Sequence, residues 1–400
     1  MRGAPPRPAG ERPKLIHVTT VDMSLHVLLR YQLRRFDEAG YEVVGASAPG
    51  PYVDRVTGDG RVRHVAVPSL TRGWTPGRDA VALRDLARLI RRERPAIVHT
   101  HNPKSGVLGR VAARLSHVPV VVNTVHGLYA NPALPPARRR AIAAAERWAM
   151  RFSDLELFQS WEDLDLAVRT RMVPASRASY LGNGVDLARF DPGRVDASAV
   201  AELRRTWGVR DGQAVVGTVG RLVREKGYEE LFTAASMVRA DRDDAAFVAV
   251  GPVEPAKADR IGGDALARAH RDGVVLHGEA EDMPAIYGAF DVFVLASHRE
   301  GMPRSLIEAQ AMGLPAVATS IRGCREVVVD EETGRLVPVR DPGALAAAIR
   351  DLLAHPGRAR AMGAAGRVRA SDRFDEDRVV ERTLAVYERL LGGRSRGAPA

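Results

Sequence analysis

At 400 residues the chain is longer than one hydrophobic core usually supports, so two domains are expected. Hydrophobic content of 45% and charged content of 27% are ordinary for a globular protein, and the single cysteine, Cys324, excludes an internal disulfide and fits a reducing compartment. A formal charge of +10 comes with only 5% aromatic residues, and the arginines are spread along Ala- and Leu-rich segments, so no nucleic acid is expected as a partner.

Residues 1–13 are rich in Pro, Arg and Gly and lack the apolar run of a secretory signal. They are expected to form a disordered tail. Strand-like segments follow at 14–21, 41–47, 62–67, 96–100, 119–124 and 154–159, with helix-like segments at 78–93, 105–115 and 136–151. In the first of these helices Val81, Leu86, Leu89 and Ile90 make the apolar stripe. A turn-rich passage from Gly182 to Gly193 opens a second series. Its strands are expected at 214–219, 245–250, 274–277, 291–296, 315–319 and 335–337, and its helices at 226–238, 283–290, 305–312 and 342–353. Alternation of this kind specifies parallel sheets with helices on both faces. The fold class is therefore α/β, with two Rossmann-like domains facing across a cleft. The amphipathic segment 375–391 is expected to cross back to the first domain. This gives a first domain at 14–190 joined by 375–391, a second at 191–374, and a tail at 392–400. No apolar stretch is long enough to span a membrane, and a cytoplasmic location is expected.

The passage from Asp291 to Gly313 carries the strongest chemical signal. An apolar strand breaks into a polar loop, 297–303, and resumes as a helix. Glu300 lies on the loop and Glu308 on the helix, with seven residues between them. Loops at the C-terminal ends of parallel strands are where open α/β sheets bind ligands, and a helix N-terminus favours a phosphate. The alternative is that Glu300 is a surface loop acid and Glu308 a helix-capping acid, since Ser305 and Glu308 also fit a capping box. Gly220-Arg-Leu-Val-Arg-Glu-Lys-Gly227 follows another strand. There Arg221 and Lys226 can clamp a diphosphate, and the glycines admit close approach. Gly323, Glu326 and Gly334 occupy later turns, which read either as plain turns or as a backbone pocket for phosphate and base. His126 ends a strand of the first half, and His99 and His101 flank Thr100. Their spacing fits no common zinc site. Asp163 and Asp165 lie two apart on a helix and do not face each other. No metal is expected. Neither a Gly-x-Gly-x-x-Gly fingerprint, a Walker A sequence nor a Gly-x-Ser-x-Gly elbow is present.

On these residues the chain resembles the retaining glycosyltransferases of family 4, with the two-domain fold called GT-B. The motifs are Gly220-Arg221 with Glu225-Lys226-Gly227, Ser297-x-x-Glu300-Gly-x-Pro303 with Glu308-Ala309, and the linker Gly182-Asn-Gly-Val-Asp186. The resemblance implies that Glu300 contacts donor-sugar hydroxyls, Glu308 holds the ribose, and Arg221 and Lys226 bind the diphosphate. His126 would line the donor sugar. Glu300, His126, Arg221 and Lys226 are thus the expected catalytic residues. Glu308, Gly220, Ser305, Gly323 and Glu326, with backbone amides near Gly301, Met302 and Pro303, complete the expected donor site. No cofactor is implied. The partners implied are a nucleotide sugar, UDP-linked, and a glycan or lipid-linked acceptor. The first half, with His17-Val-Thr-Thr20, 99–106 and Thr124-Val-His-Gly127, resembles enzymes of capsule, exopolysaccharide and lipid-linked oligosaccharide assembly. One departure is the loop after the first strand, Asp22-Met-Ser-Leu-His26, which lacks the glycines of many members. The segment 137–151 is basic and carries Ile142, Trp148 and Met150, so it reads either as a peripheral contact with an anionic membrane surface or as an ordinary helix with a solvated face. Two other readings share the fold: a UDP-N-acetylglucosamine 2-epimerase-like enzyme, and a degenerate nucleotide-sugar-binding protein. The first would use a different set of acids, and the second would be expected to lose Glu300, Arg221 or Lys226.

Overall fold

The computed structural model describes residues 12–101, 103–130, 135–253 and 259–395. The chain divides into two compact units. One is built from the chain up to Gly182 together with the segment from Glu376 onward, and the other is Asn183–Asp375. The expected tails fall mainly outside the described residues, except that Arg12 pairs with Asp37 and the final helix, Glu376–Ser395, runs past Leu391.

The first unit holds seven parallel strands: β1 Lys14–Val21, β2 Glu42–Ala48, β3 Val62–Ala66, β4 Ile97–His101, β5 Val120–Val125, β6 Leu155–Phe158 and β7 Ala178–Tyr180. Their order is β3-β2-β1-β4-β5-β6-β7. Side chains alternate between the two faces of the sheet. Leu15, Ile97, Val120 and Val122 enter one core, with Phe36 from the helix Arg30–Glu38 and Tyr387 from Glu376–Ser395. Ile16, Val18, Val98 and Val121 enter the other, under the helices Pro76–Glu93 and Pro103–Leu115. Both faces are buried, which is why these strands read as continuous apolar runs.

The second unit holds β8 Ala214–Val219, β9 Ala245–Val250, β10 Val274–Gly278, β11 Val292–Leu295, β12 Ala316–Thr319 and β13 Gly334–Val337, in the order β10-β9-β8-β11-β12-β13. Phe293 and Leu295 face a core shared with the helix Arg304–Ala311, whereas Val292 and Val294 face a core shared with the helix Tyr228–Asp241. The two helices that follow β8 and β11 therefore cover opposite faces of the sheet.

The expected strands match these within a residue or so at each end. The elements without a sequence signal have physical reasons. β7 is three residues long and only half buried. The helix Pro356–Arg373 has no apolar stripe, because Gly363 seats it against backbone: a Cβ there would lie 2.0 Å from the Gly313 carbonyl oxygen. The segment after β1 is helical throughout, with a π-helical turn Leu25–Leu29 before Arg30–Glu38.

A buried charge pair ties the first sheet to its helix layer. Arg110 meets Glu156 Oε1 at 2.5 Å, and Asn123 donates to Glu156 Oε2 at 2.7 Å. Glu156→Ala leaves the Arg110 guanidinium buried without its counter-charge. It is expected to cost about 3–5 kcal/mol, read as a lowered urea midpoint; a change below about 1 kcal/mol would show that the pair is not sealed from water.

Candidate active site

The order of the second sheet places its reversal between β8 and β11. From β8 the chain moves outward to β9 and β10, then returns to the other side of β8 at β11. At such a switch point the C-terminal loops diverge and leave a crevice. The loops that leave β8 and β11 here are the two that carry the sequence motifs.

After β8 the chain makes a 3-10 turn, Arg224–Lys226, and enters the helix at Tyr228. Lys226 thus lies on the turn and not on the helix. Gly227 joins the two at φ +70°, and a Cβ there would lie 2.0 Å from the Ala296 carbonyl oxygen. Glycine is needed twice over, for the left-handed backbone and for contact with the end of β11. Gly220, at φ +157°, is extended and leaves its carbonyl to accept from the Tyr228 hydroxyl at 2.6 Å.

The β11 loop is fastened to this turn along its length. His298 N–H donates to the Glu225 carbonyl at 2.8 Å, Arg299 Nε to Glu225 Oε1 at 2.6 Å, and His298 Nε2 meets Glu230 Oε1 at 2.8 Å. At the centre, Lys226 Nζ is 2.5 Å from Glu300 Oε1, and Ser297 Oγ donates to the same oxygen at 2.7 Å. Glu300 Oε2 accepts from no described residue. Arg221 is half-buried on the same turn, and its charge acts on the Tyr228 hydroxyl. The loop after β12 closes the third side: Gly323, at φ +79°, sits so that a Cβ would fall 1.9 Å from the Gly301 carbonyl oxygen. Arg221, Lys226, Glu300 and Gly323, scattered over a hundred residues of sequence, therefore meet at three adjacent strand ends.

Several expectations change in detail. The helix Arg304–Ala311 is capped at Pro303 with no side-chain acceptor, so Ser305 and Glu308 do not form a capping box. Ser305 contributes its carbonyl to the Tyr287 hydroxyl at 3.2 Å. Glu308 receives the same hydroxyl at 2.8 Å and Arg304 Nε at 3.2 Å. Burial pushes its carboxyl above the usual range, against the pull of Arg304. Pro303 has no N–H and cannot donate to a sugar, and the Met302 carbonyl accepts from Asn183 Nδ2 at 3.0 Å. Gly301 offers its backbone beside Gly323. The Glu326 carbonyl accepts from Arg369 at 2.7 Å.

His126 belongs to the first unit, in a different network. Its Nδ1 faces Gln159 Oε1 at 3.1 Å and its Nε2 faces His101 Nδ1 at 3.1 Å. The sequence pairs His99 with His101; the structure adds His17. β1 and β4 are in register with His17 opposite His99, and His17, His99 and His101 all point to the face covered by Phe36 and Tyr387. The signal for this was the two-residue alternation, which puts 15 and 17, and 97, 99 and 101, on one face. These three are the group among the described residues whose side chains stand close enough to share a metal ion. Burial lowers the His17 imidazole to about 3 and the His126 imidazole to about 4, so all stand neutral. Asp163 and Asp165 do not meet: Asp163 accepts from the Leu128 N–H and Asp165 pairs with Arg169. Met150 is buried and so is not available to a membrane, while Trp148 is exposed. Asn102, within the segment 99–106, lies outside the described residues. No helix among the described residues is long and apolar enough to cross a membrane.

Residues 200–369 match the family model of group 1 glycosyl transferases, and residues 25–189 match that of glycosyltransferase family 4. The chain is 33% identical over 309 residues to the UDP-Gal:alpha-D-GlcNAc-diphosphoundecaprenol alpha-1,3-galactosyltransferase of Escherichia coli, covering 73% of this chain and 74% of that one. It is 27% identical to the capsular polysaccharide biosynthesis glycosyltransferase CapM of Staphylococcus aureus, over 94% and 97% of the two chains. Its fold is similar to that of Anabaena Alr3699/HepE, solved in complex with UDP and glucose, with a TM-score of 0.77 at 18% identity over 94% of this chain and 99% of that one. The fold is two Rossmann-like units of the GT-B kind. The chain belongs to the family 4, group 1 glycosyltransferases and is a glycosyltransferase.

Two outcomes follow from this geometry. Gly227→Ala forces Ala296 and the β11 loop apart; it is expected to destabilise the second unit by at least about 2 kcal/mol, and an unchanged melting temperature would contradict the close approach. The buried histidines have folded-state values below the ordinary 6.5, so below pH 6.5 the unfolded chain binds more protons than the folded one. Their contribution to stability is full above pH 6.5 and is lost as pH falls toward about 4. The melting temperature should fall steadily over that interval, and a flat profile would show that the imidazoles are solvated.

Proposed function

We propose that the protein transfers a hexose or N-acetylhexosamine from a UDP-sugar, with retention of anomeric configuration, to a glycan or polyprenyl-diphosphate-linked acceptor in cell-surface polysaccharide assembly. The observation that carries this is the Lys226–Glu300 pair at the β8/β11 switch point. One loop presents a cation suited to a diphosphate, and the other presents a carboxylate with one oxygen, Oε2, open to a sugar hydroxyl. The E. coli and S. aureus relatives, whose names specify a UDP-galactose donor with a lipid-diphosphate acceptor and capsule synthesis, support the donor and acceptor classes.

In this reading the empty site is neutralised internally, by Lys226 against Glu300. The donor diphosphate draws Lys226 away, with Arg221 as its second cation. Glu300 then accepts from the donor-sugar hydroxyls. Glu308, held by Arg304 and Tyr287, faces the ribose. As the bond from the anomeric carbon to the diphosphate oxygen breaks, negative charge grows on the leaving group beside Lys226 and Arg221. That is where fixed charge lowers the barrier most. The acceptor hydroxyl attacks from the face the diphosphate leaves, and its proton passes to the departing phosphate oxygen. No protein nucleophile is required. The two cations serve where other transferases use a metal, so the reaction is taken to need none. Contact with an anionic membrane surface at its cytoplasmic face would follow from a lipid-linked acceptor and not from a dedicated apolar helix face.

Lys226→Ala is expected to lower kcat/KM for transfer by about a hundredfold to a thousandfold with the melting temperature preserved. Transfer from a panel of UDP-, GDP- and ADP-sugars to a synthetic lipid-diphosphate sugar measures this, and near-native transfer by the variant would remove Lys226 from the site. NMR of the product reads the anomeric configuration. Transfer should continue in excess chelator; complete loss restored by Mg²⁺ or Mn²⁺ would overturn the metal-free mechanism.

A further inference from the structure

The buried histidines of the first unit make more contacts than packing needs, and the contacts are continuous. The His126 side chain meets Gln159 Oε1 through Nδ1, at 3.1 Å, and His101 Nδ1 through Nε2, at 3.1 Å. His101 Nε2 meets His17 Nδ1 at 2.9 Å. His17 Nε2 reaches the Tyr387 hydroxyl at 3.5 Å, and that hydroxyl lies 2.5 Å from His99 Nδ1. His99 Nε2 meets Thr124 Oγ1 at 2.7 Å. Every ring nitrogen of four imidazoles is thereby engaged, from β1, β4 and the end of β5 to the C-terminal helix.

A neutral imidazole donates from one nitrogen and accepts at the other. The chain of contacts is therefore satisfied in only two ways. With the Gln159 oxygen facing His126, Nδ1 of His126 carries the proton, so Nε2 must accept, and His101 must donate from Nδ1. The same logic puts the proton of His17 on Nδ1. The Tyr387 hydroxyl then donates to His17 Nε2, accepts from His99 Nδ1, and leaves His99 Nε2 to accept from Thr124. Reversing any one ring sets two lone pairs or two protons against each other, and because His17, His99 and His101 are buried, the favoured alternative is for all rings to reverse together.

We propose that His17 and His101 are positioning residues which lock the ring orientation and tautomer of His126, through one hydrogen-bonded chain that runs from Tyr387 of the C-terminal helix to Gln159. The functional consequence rests on the transferase reading above, together with the catalytic role that the family resemblance implies for His126. Held in this way, His126 presents a fixed neutral ring and has no nitrogen to spare as a general base. A metal ion is the competing use of the same side chains. The ring arrangement disfavours it: His99 and His101 stack face on face, with centroids 4.3 Å apart and planes 25° apart, and so cannot both aim in-plane lone pairs at one ion. The facing nitrogens of His17 and His101 are 2.9 Å apart in nearly coplanar rings, closer than two imidazole ligands of one ion about 2.0–2.1 Å away would stand.

The test is the tautomer of each ring, read from the two nitrogen shifts in long-range 15N–1H correlation spectra of the full-length protein at neutral pH. In the native protein His17, His101 and His126 should all be neutral with the proton on Nδ1. Gln159→Met removes the terminal acceptor while keeping volume. All three rings should then carry the proton on Nε2, including His17, which does not touch residue 159. A change confined to His126, a mixture of tautomers in the native protein, or one equivalent of tightly bound metal would overturn the proposal. If Gln159→Met does not fold, His101→Phe breaks the chain at its middle: His126 should then populate both tautomers, and kcat for transfer should fall about tenfold or more with donor KM unchanged. An unchanged kcat with an unchanged His126 spectrum would overturn the positioning role. The spectra do not depend on turnover, so a concerted change in a protein that transfers no sugar would count against the transferase reading and leave the chain of histidines standing.

Discussion

The structure depends first on a constraint of parallel sheets. Each strand must be followed by a crossover, and a sheet that grows from its middle in both directions has one point where neighbouring strands send their connections to opposite faces. In the second unit that point lies between β8 and β11. The helix after β8 packs in one core layer and the helix after β11 in the other, so the two loops part above the sheet. The first unit has its reversal between β1 and β4, and there the same constraint brings His17 beside His99. Both clusters of polar side chains discussed above are thus products of strand order.

Within the second unit, three glycines let backbones meet where side chains would keep them apart. Gly227 touches the end of β11 and Gly323 touches Gly301, while Gly251 packs so closely on Gly220 that a Cβ would lie 2.0 Å from its carbonyl oxygen. The charged side chains can then be short of water and still satisfied. Lys226 and Glu300 answer each other, and Arg299 and His298 tie the loops through Glu225 and Glu230. In the proposed reading such a site takes an anion only if the ligand replaces what Glu300 gives Lys226 and also offers Glu300 a hydroxyl, two groups that a nucleotide sugar carries on one molecule.

Much of this was legible in the sequence. Buried parallel strands read as apolar runs, and the strands that matter most, β1, β8 and β9, show their bounds directly. Arg221 and Glu300 sit on strand-to-helix loops and Glu308 on the helix that follows, as expected, whereas Lys226 sits on a turn before its helix. What could not be read was pairing. Nothing in the sequence says that Glu308 faces Tyr287 and Arg304 and not a capping N–H, since a Ser-x-x-Glu spacing is common to both outcomes. Nor could Lys226 be seen to neutralise Glu300, because that contact depends on which strands are neighbours. The histidine chain needed both the register of β1 on β4 and the return of Tyr387 from the far end of the chain. The helix Pro356–Arg373 was silent because small residues, and no apolar stripe, hold it in place.

The central claim is that Lys226 is shared between Glu300 and a donor diphosphate. Calorimetric titration of UDP and of a UDP-sugar into the native protein and Glu300→Gln tests it most directly. The expected result is that Glu300→Gln binds UDP as tightly as the native protein or more tightly, because the lysine is released from its carboxylate, while the added affinity from the sugar is lost. Weaker binding of UDP by Glu300→Gln, with the sugar's contribution intact, would contradict the account.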